Sequence, residues 1–127
     1  LGSAENLPFE DNSFDNVFCS FVWRNVSDTN KALEEVYRVL RPGGKFILLD
    51  MTRPKNSFLK ILHKIGTFKV LHLIGLLTFN LKEYRFLYKS LDFYPQPENH
   101  LKKDKFIDLK MERMGLFNFV YMAIFTK

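Results

Sequence analysis

Arg24 and Asn25 are the residues whose types and placement best suit chemistry. They close the stretch LPFEDNSFDNVFCSFVWRNV, Leu7 to Val26, which passes from a polar loop into an apolar, aromatic run and ends on a guanidinium and an amide. A guanidinium fork beside an amide, delivered by a strand, supplies hydrogen-bond donors to whatever lies at the strand's end. It cannot act as a base, because arginine keeps its proton. The plainer reading is a loop leading into a helix, with a surface salt bridge, and the residues alone do not separate the two. Other chemistry is poorly supplied. Cys19 lies in an apolar run and reads as an inert buried side chain; as the only cysteine it excludes an intrachain disulfide. His63 and His72 have no ligand partner at useful spacing, so no metal site is expected. Asp15 and Asp50 read as makers of local hydrogen bonds, and no Ser-His-Asp or Cys-His set can be assembled.

The elements that must position Arg24 and Asn25 are legible. Residues up to Ser13 read as a loop, with Pro8 and the turn cluster Glu10-Asp11-Asn12-Ser13. Phe14 to Phe21 reads as a strand, nearly continuous in apolar character at its centre, as for a strand covered on both faces. Ser27-Asp28-Thr29 offers helix caps. Ala32, Leu33, Val36, Tyr37, Val39 and Leu40 follow at helical spacing, with Arg41 placed in the last turn, and Pro42-Gly43-Gly44 ends the helix. Lys45 to Asp50 is a second strand. Strand, helix and strand form one right-handed βαβ unit with parallel strands. Both strand C-termini then share the sheet edge at which open α/β folds bind ligands, and Arg24-Asn25 is delivered there.

Downstream, Asn56 to about Asn80 reads as an amphipathic helix that Gly66 and Gly75 break into pieces. Leu81 to Phe93 reads as a further helix and Tyr94-Pro95-Gln96-Pro97 as a turn. Leu101 to Met114 reads as a helix ended by Gly115, and Phe117 to Thr126 as one final strand.

At 127 residues, 46% hydrophobic and 26% charged, the chain has ordinary globular composition and length for one domain. The net charge of +5 is uneven: residues 51–82 carry six basic side chains and no acidic one. That block is diluted by Leu, Ile and Phe, and no nucleic-acid-binding motif accompanies it, so nucleic acid is not expected as a partner. Lysines among large apolar residues over 55–79 suit three roles: a cap over an apolar substrate, a helix lying on an anionic membrane surface, or ordinary packing. No apolar run reaches the ~18–20 residues of a membrane span.

SAENLPFEDNSFD, the strand ending SFVWRNV and the segment KALEEVYRVLRPGGKFILLD together resemble the C-terminal half of a Rossmann-like, S-adenosylmethionine-dependent methyltransferase. SF-x-x-RNV, VYRVLRPGG and the later EYRFLYKSL are similar to one branch, the ubiquinone/menaquinone biosynthesis C-methyltransferases. The likeness runs from Leu1 to about Tyr94 and loosens beyond. It implies an α/β fold in which 1–127 is a single partial domain: the C-terminal strands of a mostly parallel sheet, flanking helices and a helical cap inserted at about 54–94. The resemblance also implies an N-terminal half with a Gly-rich cofactor loop, expected before Leu1 and missing from 1–127, where none of the six glycines forms a G-x-G after a strand.

By resemblance, Ser3-Ala4 contact the adenine of S-adenosylmethionine, where the family usually has Asp-Ala or Asn-Ala. Ser20 lies beside that cofactor, and Arg24-Asn25 near the quinone ring. Val22-Trp23 replace the usual Gly-Leu and would reshape the substrate pocket. The family ends in two antiparallel strands, and GLFNFVYMAIFTK offers enough for one.

The implied function is C-methylation of a lipophilic quinol precursor. The alternative is a non-catalytic, degenerate scaffold at a membrane surface. The implied location is the bacterial cytoplasm or the matrix side of the mitochondrial inner membrane, with peripheral membrane contact through 55–79. Without its neighbouring strand, Phe14–Phe21 would be an apolar open edge, which points to self-association or a homo-oligomer.

Overall fold

The computed structural model describes residues 2–102 and 104–127. Its frame is a four-stranded sheet in the order β1-β2-β4-β3, formed by β1 (Phe14–Ser20), β2 (Leu40–Met51), β3 (Asp108–Met114) and β4 (Val120–Thr126). β1 and β2 are parallel, and β4 runs antiparallel to both β2 and β3, so three of the four strands point one way.

Helix α1 (Thr29–Val39) makes the crossover between β1 and β2. Of the three candidate caps it is Asp28 that accepts the backbone N–H groups of Asn30 and Lys31, an arrangement worth about 1 kcal/mol. The helix ends at Val39, so Arg38 rather than Arg41 occupies its last turn. Arg41 instead reaches Asp15 at 2.8 Å. β2 begins at once, and the register jumps from Phe14 opposite Leu40 to Asn16 opposite Lys45, so that Arg41-Pro42-Gly43-Gly44 bulges out of the ladder with Gly43 at φ +79°.

One face of the sheet holds the core. Phe46 and Leu48 of β2 and Tyr121, Ala123 and Phe125 of β4 are fully buried beside Ala32, Leu33 and Val36 of α1. The ring stack Phe46–Phe125, at 5.6 Å, extends to Phe106 and Trp23. The opposite face is uncovered: Phe18 is 73% exposed, and its cross-strand neighbours Ile47 and Ile124 are half-buried. The strand covered on both faces that the sequence suggests is therefore covered on one.

Beyond β2 the chain forms α2 (Ser57–Leu77) and α3 (Leu81–Phe93), packed on each other. α2 runs unbroken through both glycines. At Gly75 a Cβ would stand 3.2 Å from Leu81 Cα, so the missing side chain lets the two helices touch rather than breaking one. A short α4 (Pro97–His100) follows.

The helix expected over Leu101–Met114 is not there. Asp108–Met114 is β3, and every residue of it pairs with β4. Half-buried Leu109, Met111 and Arg113 alternate with Asp108, Lys110, Glu112 and Met114, the period of a strand. The sheet therefore closes with two antiparallel strands, not one, joined through a 3₁₀ turn at Leu116–Asn118.

Candidate active site

Arg24 and Asn25 stand in a 3₁₀ turn, Trp23–Asn25, directly after β1 and at the same sheet edge as the end of β2. The turn is anchored from inside by Trp23, 1% exposed and packed on Phe46 at 5.4 Å. Trp23 therefore fills core rather than reshaping a ligand pocket, while Val22 beside it is exposed.

Arg24 is not in a surface salt bridge. Its side chain is 5% exposed and its guanidinium is paired through Nη1 with the fully buried carboxylate of Asp50, at the end of β2. The backbone N–H of Arg24 donates to the other oxygen of Asp50 at 3.0 Å. Asp50 also accepts from its own neighbour, the Met51 N–H, at 2.7 Å. One carboxylate thus holds Arg24 by main chain and side chain together, across the two parallel strands. The local role expected for Asp50 is the lesser part of what it does.

Arg24 Nη1 also donates to the Phe21 carbonyl, and Nε to Ser90 Oγ on α3 at 3.2 Å. Nη2 has no hydrogen-bond acceptor among the described residues. Arg24 and exposed Asn25 line a cavity of about 400 Å³ together with Phe86, Phe93 and Tyr94. Tyr94 Oη accepts from Tyr121 Oη at 3.4 Å, and burial pushes its phenol up to about 12, so the hydroxyl stays protonated.

A second buried arginine ties the α2–α3 pair to the sheet. Arg53 is 2% exposed; it donates from Nε to Asp92 at 3.0 Å and from Nη1 to Thr67 at 2.8 Å and His63 Nδ1 at 3.3 Å. It also lies over the Tyr88 ring at 4.9 Å. Burial and the Arg53 charge both push the His63 imidazole down, which keeps it neutral. Against the upward push of its burial, hydrogen bonding from Lys64 and the charge of Arg53 hold the Asp92 carboxyl below its usual range.

The ubiE/COQ5 methyltransferase family model matches residues 1–121. The chain belongs to that family. Among curated proteins, the ubiquinone/menaquinone biosynthesis C-methyltransferase UbiE of Rickettsia bellii is 46% identical over 99 residues, 77% of this chain and 40% of that protein. The UbiE of Rickettsia felis is 44% identical over the same shares. The chain thus spans about two fifths of the length of these relatives. A solved S-adenosylmethionine-dependent methyltransferase from Thermotoga maritima superposes with a TM-score of 0.63 at 23% identity, covering 99% of this chain and 62% of that one, which shows a shared fold.

Within the family's fold, the remaining residues singled out by sequence are scattered. Ser20 is exposed at the end of β1 on the open face of the sheet. Ser3 is exposed in the N-terminal loop, where its Oγ accepts the Glu5 N–H at 3.2 Å, and Ala4 packs half-buried against the core. That loop is tied to α1 by Glu35, which accepts the Leu7 N–H, and by Arg38, which donates to the Leu7 and Phe9 carbonyls. No hydrogen bond joins Ser3 or Ala4 to Ser20 or Arg24 among the described residues.

Sequence reasoning missed Asp50 and Ser90 as partners of Arg24, and Arg53 altogether. The signal for Asp50 was its place, at the end of the second parallel strand and next to the end of the first. Arg53 carried none beyond the charge of its block.

Proposed function

We propose that the chain is the acceptor-side part of an S-adenosylmethionine-dependent C-methyltransferase acting on a lipophilic quinol precursor. The observation that supports this most is the double grip of Asp50 on Arg24, which fixes a guanidinium at the ligand edge of the sheet with one nitrogen unspent. The relatives' printed names, ubiquinone/menaquinone biosynthesis C-methyltransferase, supply the reaction class.

The residues present fit one side of the cofactor. Ser20 offers an exposed hydroxyl at the strand end, and Ser3-Ala4 sit on a loop fastened to α1. No glycine-rich turn after a strand is among them. We assign Ser3, Ala4 and Ser20 to the adenosyl side, and a bound sulfonium would supply the electrophilic methyl group. Held there, it would supply that methyl to a ring carbon of the acceptor, whose proton would pass to solvent.

The chain's own part is to hold the ring and its charge. Asn25 hydrogen-bonds a ring oxygen. Arg24 Nη2 donates to the phenolate oxygen as negative charge gathers there, or to the water that takes its proton; such fixed donors are worth roughly 10²–10³ in turnover. Phe86 and Phe93 flank the cavity and offer apolar faces to a flat ring. Because Asp50 already neutralises Arg24, the pair can remain buried without a ligand, and pre-fixed geometry rather than net charge does the work. In the full-length gene product, Arg24→Lys keeps a cation for Asp50 but loses the fork. Turnover on a quinol acceptor is expected to fall about 10²-fold with little change in melting temperature, and wild-type turnover would sink the assignment.

We also propose peripheral membrane contact through α2, with the protein in the bacterial cytoplasm or on the matrix side of the mitochondrial inner membrane. Among the described residues no helix is long and apolar enough to cross a membrane. Phe58, Ile61, Leu62, Ile65, Leu73 and Leu76 are all exposed on α2, with Lys60, Lys64 and Lys69 among them. That combination suits an anionic interface. It also favours the second reading, a membrane-surface scaffold without turnover, which the Arg24 experiment distinguishes. Flotation with anionic and neutral vesicles tests the contact: binding to neither removes it.

A further inference from the structure

The Arg24 guanidinium is held by two separate bodies. Nη1 is taken up by Asp50, at the end of β2, and by the carbonyl of Phe21, directly after β1. Nε is taken up by Ser90, which stands on α3 and accepts at 3.2 Å. The Ser90 proton goes to the Leu87 carbonyl at 2.8 Å, so toward Arg24 the hydroxyl oxygen can only accept. A planar guanidinium gripped at one nitrogen can still turn about that contact, and a grip at a second nitrogen fixes its plane. The height of Ser90 against the sheet is set in turn by Arg53. That arginine donates to the Tyr88 carbonyl at 3.3 Å and to Asp92 at 3.0 Å, two residues to either side of Ser90. Leu91, next to Ser90, is the buried residue of the helix. One turn of α3 thus carries both the tie to Arg53 and the contact to Arg24.

We infer that Ser90 is a positioning residue for methyl transfer: it sets the plane of Arg24 from α3, so that the arginine is presented correctly to the acceptor only while that helix is seated on the end of the sheet. The inference rests on the reading of Arg24 given above and adds the residue through which the α2–α3 pair takes part in it. Charge is not what Ser90 contributes. Asp50 neutralises Arg24 with or without the hydroxyl, so removing Ser90 leaves the ion pair whole and changes orientation. Rate is sensitive to orientation: a misplacement of about 1 Å costs on the order of 10²-fold. Stability is not, since half-buried Ser90 lies inside a helix, where alanine is the better helix former. Loss of the hydroxyl therefore separates rate from stability, which a purely structural serine would not do.

The test is a double-mutant cycle in the full-length gene product: wild type, Ser90→Ala, Arg24→Lys and the two together, with kcat and KM measured for a quinol acceptor. Ser90→Ala should lower kcat about tenfold, the size of coupling found between neighbours in one hydrogen-bond network. KM for the acceptor and the melting temperature should change little. Added to Arg24→Lys, Ser90→Ala should lower kcat no further, because lysine has no Nε for the hydroxyl to hold. Wild-type kcat in Ser90→Ala overturns the inference, as does a loss that adds in full to that of Arg24→Lys. If Ser90→Ala melts early, Ser90→Cys, which keeps the bulk and accepts only weakly, is held to the same criteria. A second readout needs no turnover. The Arg24 Nε–H signal of the ¹⁵N-labelled protein, identified by its absence in Arg24→Lys, should be protected from exchange with water in wild type and lose that protection in Ser90→Ala. Equal exchange in the two proteins overturns the inference. Protection lost in Ser90→Ala, in a protein without any methyl transfer, would sink the enzymatic reading and the inference with it. Turnover lost in Arg24→Lys but whole in Ser90→Ala would sink the positioning role alone.

Discussion

At the scale of the residue, the Arg24–Asp50 pair shows how burial changes what an ion pair is worth. Exposed, it would contribute little. With Asp50 fully buried and Arg24 at 5%, removing one partner strands the other. Arg24→Ala is therefore expected to cost about 3–5 kcal/mol in chemical denaturation, far more than Arg24→Lys. An alanine variant as stable as wild type would show that Asp50 does not need its partner.

Two further carboxylates make stability depend on acid. Hydrogen bonding from Arg38, and then the Leu7 N–H, holds Glu35 at about 2; hydrogen bonding from Arg113 holds Glu98 at about 2. Both titrate lower folded than unfolded, so the unfolded chain takes up protons first as pH falls. Their stabilisation is whole above the ordinary glutamate value of 4.5 and fades toward pH 2. Melting temperatures recorded across that window should fall with pH, and less steeply in Arg113→Gln, which gives up the Glu98 share. Parallel slopes in the two proteins would mean that Glu98 gains nothing from Arg113.

At the scale of the element, α2 and α3 behave as one piece. Their crossing depends on Gly75, and Arg53 fastens both to the end of β2 through Thr67 on one helix and Asp92 on the other. Gly75→Val places methyl groups where Leu81 and Tyr84 already stand, so it should destabilise by roughly 1–3 kcal/mol despite valine's better helix propensity. The opposite sign is expected at Gly66, where a Cβ would meet no heavy atom within 4 Å and alanine should raise the melting temperature. Two glycines nine residues apart on one helix thus give a paired test, and equal responses would show that the crossing does not have the geometry described.

For the molecule as a whole, the open surfaces dominate. The outer edge of β1 pairs with no strand among the described residues, and the uncovered sheet face carries Phe18 at 73% exposure. Unpaired strand edges beside apolar surface are templates for association. Sedimentation velocity on the 127-residue chain should show concentration-dependent self-association, reduced by Phe18→Lys on the open face. A clean monomer over the accessible concentrations would contradict this.

The βαβ unit and its ligand edge were legible because they rest on local signals: apolar runs of strand length, a capping aspartate, a helical stripe and a Pro-Gly-Gly stop all fall within some forty residues. The position of Arg24 and Asn25 at that edge was legible for the same reason, since they directly follow such a run. The last third was misread where local signals conflict. Leu101–Met114 holds apolar residues at helical spacing as well as strand alternation over its second half, and only pairing with β4 chose between them. The sequence by itself determined the family, the parallel pair and the sheet edge at which Arg24 and Asn25 stand. Tertiary structure alone decided that Asp50 grips Arg24 from 26 residues away, that Arg53 is a buried tie rather than surface charge, and that one glycine closes a helix contact while another borders open space. Each of these depends on what chain folding brings close in space, where burial sets the strength of a charge and the presence of a neighbour sets the meaning of a missing side chain.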